Sequence, residues 1–273
     1  MAKRRALWLA CLLGAGVVTG CGGGAERRES GAGVSDWSAA AAAIRPSVHS
    51  VWGSRPVLGG TRTAFVPVGT AFALTRGGVL MTNAHVVARG DGRPLPRLHV
   101  LVQTDAGPVL HESVIVALDQ DRDLALLQVG DTALTPVRWA RERALMGAPL
   151  ATLGYGLPEG GIVDTTGAAV TSRYTVFRRF TAGYSSGYRT LEAGDPSTNV
   201  LEVDLFLFPG VSGGPAFGPD GAVIGVNRGH REFRQGASSY GHVIPRLVVA
   251  QFLTGAGAAA GIDTVRVFGW SDR

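Results

Sequence analysis

The sequence predicts an all-β protein, folded as a pair of small barrels or a sandwich. Three observations carry this. Val, Ile, Leu, Phe and Thr gather into about ten short runs between Val48 and Ile244. Gly, Pro or Asp separates most of those runs, as tight turns between strands demand. Of 273 residues 40 are Gly and only 17% are charged, which leaves little material for long solvent-facing helices. An apolar share of 45% lets the chain bury a real core, in one domain or two small ones.

The elements follow in order. "MAKRR" is a basic start, and "ALWLACLLGAGVVTG" is an apolar stretch too short and too Gly-rich for a good membrane span. Residues 1–20 are read as a signal peptide. The small residues of "VTGC" before Cys21 resemble the lipobox of bacterial lipoproteins, which implies cleavage there and acylation of the Cys21 thiol; a plain secretory signal with an incidental cysteine is the alternative. Cys11 would leave with the signal, so the mature chain keeps one capped cysteine and no disulfide. Acyl chains contribute about 0.8 kcal/mol per buried CH₂, enough for several to hold a domain at a membrane. The expected location is the bacterial envelope, periplasmic or cell-surface, with the lipid as the membrane contact.

Residues 21–36 read as a flexible tether. "SDWSAAAAAIRP" predicts a short helix, capped at Ser35 or Ser38 and stopped before Pro46. Strands are expected at "VHSVW", "GTAFALT", "LHVLVQT", "SVIVAL", "LALLQV", "APLATLG", "AAVTSRYTVF", "NVLEVDLFLF", "AVIGVN" and "YGHVI". "PRLVVAQFL", Pro245 to Leu253, is the one further helix, and residues 255–273 read as a loosely docked tail. The formal charge of +5 counts Lys3, Arg4 and Arg5, three cations in the expected signal; without them +2 remains. No basic stripe interleaved with aromatics follows, so no nucleic-acid partner is expected.

Chemistry concentrates in "LFPGVSGGPAF", where Ser212 stands among glycines and prolines. Glycine is costly wherever the backbone must be held still, so such a cluster requires a reason. A tight turn is one; presenting a hydroxyl beside converging N–H groups is another. A hydroxyl nucleophile needs a base within hydrogen-bond reach, itself oriented by a third group. Of six histidines, His85 alone sits where an apolar strand, "VLMTN", gives way to Ala-His-Val-Val. Among Asp119, Asp121 and Asp123, the last abuts "LALLQV" and is the one carried under the surface, where a carboxylate needs a partner.

"GTAFALTRGGVLMTNAHVV" resembles the strand–strand–histidine segment of HtrA/Deg-type serine proteases within the trypsin-like superfamily. "DRDLALLQV", "MGAPLATLGYG", "VDLFLFPGVSGGPAFGPDGAVIGVN" and "YGHVIPRLVVAQFL" are similar to the segments that follow in that family, in the same order, from about Arg45 to Leu253. The resemblance implies two six-stranded antiparallel Greek-key barrels of the chymotrypsin type with a short C-terminal helix. The protease domain would be residues 37–254, its barrels about 45–140 and 145–254.

The same resemblance implies His85 as general base, Asp123 as its orienting acid and Ser212 as nucleophile. It implies an oxyanion hole from the N–H groups of Gly210 and Ser212. Val211 departs from the family, which carries Asp or Asn before the serine, and removes a polar anchor from the oxyanion loop. Phe206 stands where trypsin-like enzymes bind basic side chains, Leu207 follows it, and Val226, Asn227 and Arg228 should line the opposite wall. An apolar pocket results, suited to aliphatic P1 residues.

Two rivals stand beside this reading. "GVSGG" also satisfies the nucleophile elbow of α/β-hydrolases, but that fold needs helices alternating with strands and an acid and a histidine after Ser212, where only 61 residues with one plausible helix remain. A catalytically inactive, lipid-tethered peptide-binding module of protease shape is the other. No PDZ domain is expected after Leu253, and oligomer formation is open, with Trp37 or Trp52 as the available aromatic contact. No cofactor, metal or nucleotide is expected, since neither ligand spacing nor a phosphate loop is present. The expected partners are protein or peptide substrates.

Overall fold

Short apolar runs cut by turn residues fold into twelve strands among the described residues. The computed structural model describes residues 36–56, 63–104, 106–130, 132–157, 177–190, 199–232 and 239–268. The expected signal peptide, Cys21 and the tether lie outside them, as does most of the run "AAVTSRYTVF".

The first barrel comprises β1 (Val48–Pro56), β2 (Thr63–Ala73), β3 (Val79–Thr82), β4 (His99–Thr104), β5 (Gly107–Asp119) and β6 (Leu124–Val129). It closes in the order β1-β2-β3-β6-β5-β4, all pairs antiparallel, with Ser50 opposite Leu101 where β4 returns to β1. The second comprises β7 (Pro149–Tyr155), β8 (Arg178–Thr190), β9 (Asn199–Val203), β10 (Pro215–Phe217), β11 (Val223–Glu232) and β12 (Ser239–Pro245). It closes as β10-β11-β12-β9-β8-β7. Closure removes the unpaired edges that short strands would otherwise expose.

Each barrel fills its own interior, one around Leu80, Val100 and Leu127, the other around Leu150, Leu201 and Val243. A third cluster fills the seam: Phe72, Met81 and Leu124 from the first barrel meet Leu153, Phe217 and Val226 from the second. Residues delivered to that seam are held by both barrels.

Helix α1 (Trp37–Ile44) forms as expected, but Asp36 caps it, accepting from Ser38 N–H at 2.9 Å. Trp37 packs at 6.2 Å from both Phe180 and Phe217, inside its own chain. Helix α2 (Ala84–Val87) is one turn, and α3 (Arg246–Phe252) follows Pro245. The segment expected as a loose tail is docked as far as Phe268. After α3 a helical turn at Leu253–Gly257 leads to α4 (Thr264–Phe268), where Val267 and Phe268 are buried. Phe268 lies edge-on to Trp139 at 5.0 Å, an anchor hidden behind a run of Gly and Ala. Strand β8 was also unexpected. Its sequence RRFTAGYSSGYRT buries only Ser185, so it carries no apolar signal.

His49, on β1, is 2% exposed, and neither ring nitrogen has a hydrogen-bond partner among the described residues. Burial, then the nearby charges of Arg178 and His111, lower its pKa from 6.5 to about 4. The fold thus holds a neutral ring that the unfolded chain protonates below 6.5. Stability is fully present above that pH and falls as pH drops from 6.5 towards 4. Moving from pH 7.5 to pH 4.5 should lower the unfolding free energy of wild type by about 2–3 kcal/mol more than that of His49→Leu. Equal losses in the two proteins would reject this account.

Candidate active site

The apolar strand β3 ends at the seam, and its last residues set the site. Asn83 N-caps the single turn of α2, which lifts His85 to the surface with a side chain 48% exposed. Asp123 enters from β6. Its amide donates to Gln120 carbonyl at 3.2 Å, closing a turn that leaves Asp123 at φ +56°, a left-handed conformation that Asp tolerates better than most residues. The Asn83 side-chain amide donates to Asp123 carbonyl at 2.9 Å and fixes the two segments together.

The Asp123 side chain, 10% exposed, is saturated with donors. His85 Nδ1 lies 3.0 Å from Oδ1 and 2.9 Å from Oδ2, and His85 N–H donates to Oδ1 at 3.0 Å. An ionised carboxylate only accepts, so Nδ1 carries the ring proton and Nε2 keeps its lone pair. Arg228 Nε stands 3.4 Å from Oδ2.

Ser212 reaches the same place from the second barrel. Its hydroxyl donates to Arg228 carbonyl at 3.2 Å, so Arg228 touches both Ser212 and the acid that holds His85. Among the described residues no hydrogen bond joins Ser212 to His85; such bonds commonly tighten only when substrate binds. Gly213, at φ +83°, lets the chain pass so close to Thr70 carbonyl and Thr82 hydroxyl that a β-carbon would collide with both and crowd Asn83 N–H.

The loop before Ser212 has a defined orientation. Pro209 carbonyl accepts from Leu157 N–H at 2.8 Å, and no cis peptide occurs among the described residues. A trans amide points its N–H opposite to its carbonyl, so Gly210 N–H faces away from Leu157. Neither Gly210 N–H nor Ser212 N–H has an acceptor among the described residues. Gly210 adopts φ +95° and backs onto Tyr155 carbonyl and Leu157 N–H, with no room for a side chain.

Val211 supplies no polar anchor, but it is buried in the second barrel's core. The anchor comes from across the seam. Thr70 hydroxyl donates to Gly210 carbonyl and accepts from Tyr155 N–H, both at 2.8 Å. Thr70 N–H donates to Ser212 carbonyl at 2.9 Å, and Thr82 hydroxyl donates to Thr70 carbonyl at 2.7 Å.

The residues expected on the specificity wall divide by exposure. Phe206 is exposed and meets Phe208 edge-on at 4.6 Å, and the Arg228 side chain is partly exposed. Leu207, Val226 and Asn227 instead turn inward, each at most 1% exposed. A register shift between Asn227 and Gly229 breaks the alternation of β11. The Asn227 side-chain amide is spent on Thr152 hydroxyl and on the carbonyls of Val211 (3.4 Å) and Pro215 (3.5 Å). It supports the serine loop from beneath. Among the described residues no group of His, Cys, Asp and Glu is placed to hold a metal, and no helix is long and apolar enough to cross a membrane.

Residues 69–226 match the trypsin-like peptidase domain. Human serine protease HTRA4 is 29% identical over 186 residues, 67% of this chain and 35% of that protein. A probable periplasmic DegP-like serine endoprotease of Halomonas elongata is 30% identical over 160 residues, 59% of this chain and 29% of that one. The chain thus spans about a third of the length of these relatives. The active form of the Rv3671c protease from M. tuberculosis superposes with a TM-score of 0.59 at 26% identity, covering 82% of this chain and 87% of that one. Fold, strand order and sequence agree: the chain belongs to the trypsin-like peptidase family, and its relatives there are serine proteases of the HtrA type.

Proposed function

We propose that this chain is a serine endopeptidase that hydrolyses protein substrates through Ser212, His85 and Asp123. The observation that carries the reading is the Asp123 carboxylate, buried at the seam and bonded to His85 Nδ1 within 3.0 Å, with Ser212 one residue away through Arg228. His85 Nε2 takes the Ser212 proton as Oγ leaves Arg228 carbonyl and attacks the scissile carbonyl. The oxygen that becomes negative is received by the N–H groups of Gly210 and Ser212; one such donor is worth about 3–4 kcal/mol. The imidazolium returns the proton to the departing amine, and water, activated by the same ring, hydrolyses the acyl-enzyme.

The exposed Phe206 supports an apolar P1 preference. The lipobox-like "VTGC" supports export and anchoring through Cys21, and the periplasmic DegP-like relative supports a role in protein processing or quality control in a bacterial envelope. One observation favours the second reading, an inactive peptide-binding module: Ser212 is bonded to Arg228 carbonyl rather than to His85. Digestion of unfolded casein with product sequencing separates the two. Cleavage after aliphatic residues is expected, together with fluorophosphonate labelling of wild type. Cleavage confined to Lys and Arg sites would defeat the pocket assignment, and absence of both labelling and products the enzyme assignment. Cys21→Ser should move the protein from the membrane to the soluble fraction; an unchanged distribution would reject the anchor.

A further inference from the structure

Beside His85 the first barrel opens into a cavity of about 510 Å³ that shares His85 and Asp123 with the candidate triad and includes neither Ser212 nor Phe206. Its walls are Arg55, Arg89, Gln120 and Leu95, with His85 and Asp123 at one side. The charge on these walls is unbalanced. Arg55 reaches His85 carbonyl with a guanidinium N–H at 3.4 Å, a weak contact for a cation, and no carboxylate lies within ion-pair distance of it among the described residues. Arg55 is exposed as a residue, and the partial burial of its head group lowers its pKa from the ordinary value.

Of the acids nearby, Asp91 and Asp119 each pair with a neighbour on their own turn, and Asp91 also feels the charge of Arg89. Asp91 is held by Arg93, whose Nε donates at 2.7 Å, and Asp119 by Arg122 at 2.7 Å. Asp123, the one carboxylate on the wall, serves His85 and Arg228. Arg89 forms no ion pair within 4 Å among the described residues; its carbonyl accepts from Gln120 at 3.5 Å. Arg55, Arg89 and Gln120 thus line a roomy opening together with the apolar Leu95, Ala84 and Ala88. Planar guanidinium donors match a carboxylate in geometry as well as charge.

We infer that this cavity is a specificity subsite for an acidic side chain of the substrate, a Glu or Asp close to the scissile bond on the His85 side. Arg55 and Arg89 bind the carboxylate, Gln120 completes its hydrogen bonds, and Leu95 receives the methylene stem. The inference rests on the peptidase reading only in that the ligand is a peptide laid across Ser212. The substrate class is therefore an extended, unfolded segment in which an apolar P1 residue has an acidic neighbour.

The test uses Ser212→Ala of the full chain and fluorescein-labelled octapeptides in which Glu or Gln occupies each position in turn. Anisotropy should show at least about tenfold tighter binding of Glu over Gln at one position at 50 mM salt, shrinking to about threefold or less at 0.5 M. Adding Arg55→Ala and Arg89→Ala should erase the Glu/Gln ratio, and Arg55→Lys alone should keep most of it. A ratio under about twofold at every position, or one that survives loss of both arginines, overturns the subsite. The same peptides given to wild type read catalysis separately. If wild type leaves them intact while Ser212→Ala still prefers Glu, the subsite stands and the peptidase reading falls.

Discussion

Ser212→Ala and His85→Ala are each expected to lower kcat on unfolded casein or a peptide ester by about 10⁶-fold, and Asp123→Asn by about 10⁴-fold. The gradation follows from the contacts. Without Ser212 Oγ no acyl-enzyme forms. Without His85 the hydroxyl keeps its proton at neutral pH. Asp123→Asn keeps the shape of the side chain but replaces a carboxylate that accepts from His85 Nδ1 and from His85 N–H. The new amide can present its own N–H to the ring, favouring the tautomer whose Nε2 is already protonated and cannot act as base. KM should move little in all three, because Arg55, Arg89 and Phe206, to which substrate binding is assigned, stay in place. The double variant His85→Ala/Ser212→Ala should be no worse than either single one, since the groups act as a unit. Fluorophosphonate labelling should vanish with Ser212→Ala. Retention of a tenth of wild-type activity by Ser212→Ala would end the assignment of this serine.

That these three candidate residues stand out in the sequence, while others of structural weight do not, has a local cause. His85, Asp123 and Ser212 are each marked by an abrupt change in their own neighbourhood: strand into polar turn, acid against apolar run, serine among glycines. The barrel strands announce themselves through residues such as Leu124 to Val129, almost all buried. Strand β8 does not, because it is held by partners on both sides and buries almost nothing of its own. The resemblance implies Val226 and Asn227 on a pocket wall, yet both are buried, and the register shift of β11 against β12 comes only after Asn227. Which face they take is set by the strands they pair with, a tertiary fact. Phe268 was hidden for a related reason. A single aromatic after a Gly/Ala run has meaning only once Trp139 is beside it.

Thr70 is the furthest from local view. In sequence it is one threonine in a strand; in the fold its hydroxyl reaches Gly210, 140 residues away. With Val211 unable to anchor the oxyanion loop, Thr70 is the polar group that crosses the seam to do so. Thr70→Val, nearly isosteric, should lower kcat by about 10- to 100-fold with KM within about threefold, the size expected when an oxyanion donor is displaced rather than deleted. The substitution strands Gly210 carbonyl and Tyr155 N–H in a buried setting, so stability should also fall by about 2–3 kcal/mol. The two effects are separable. Thr70→Ser restores the hydroxyl and should return kcat to within about threefold of wild type, even though the lost methyl leaves some instability in place. Thr82→Val removes the bond to Thr70 carbonyl but not the clamp on Gly210, and should weaken the fold with a much smaller change in kcat. Measured well below the unfolding transition, a Thr70→Val enzyme with wild-type kcat would show that the loop holds its N–H groups in place without this hydroxyl. Equal losses in kcat for Thr70→Val and Thr82→Val would assign the effect to seam packing, leaving Thr70 no particular hold on the oxyanion loop.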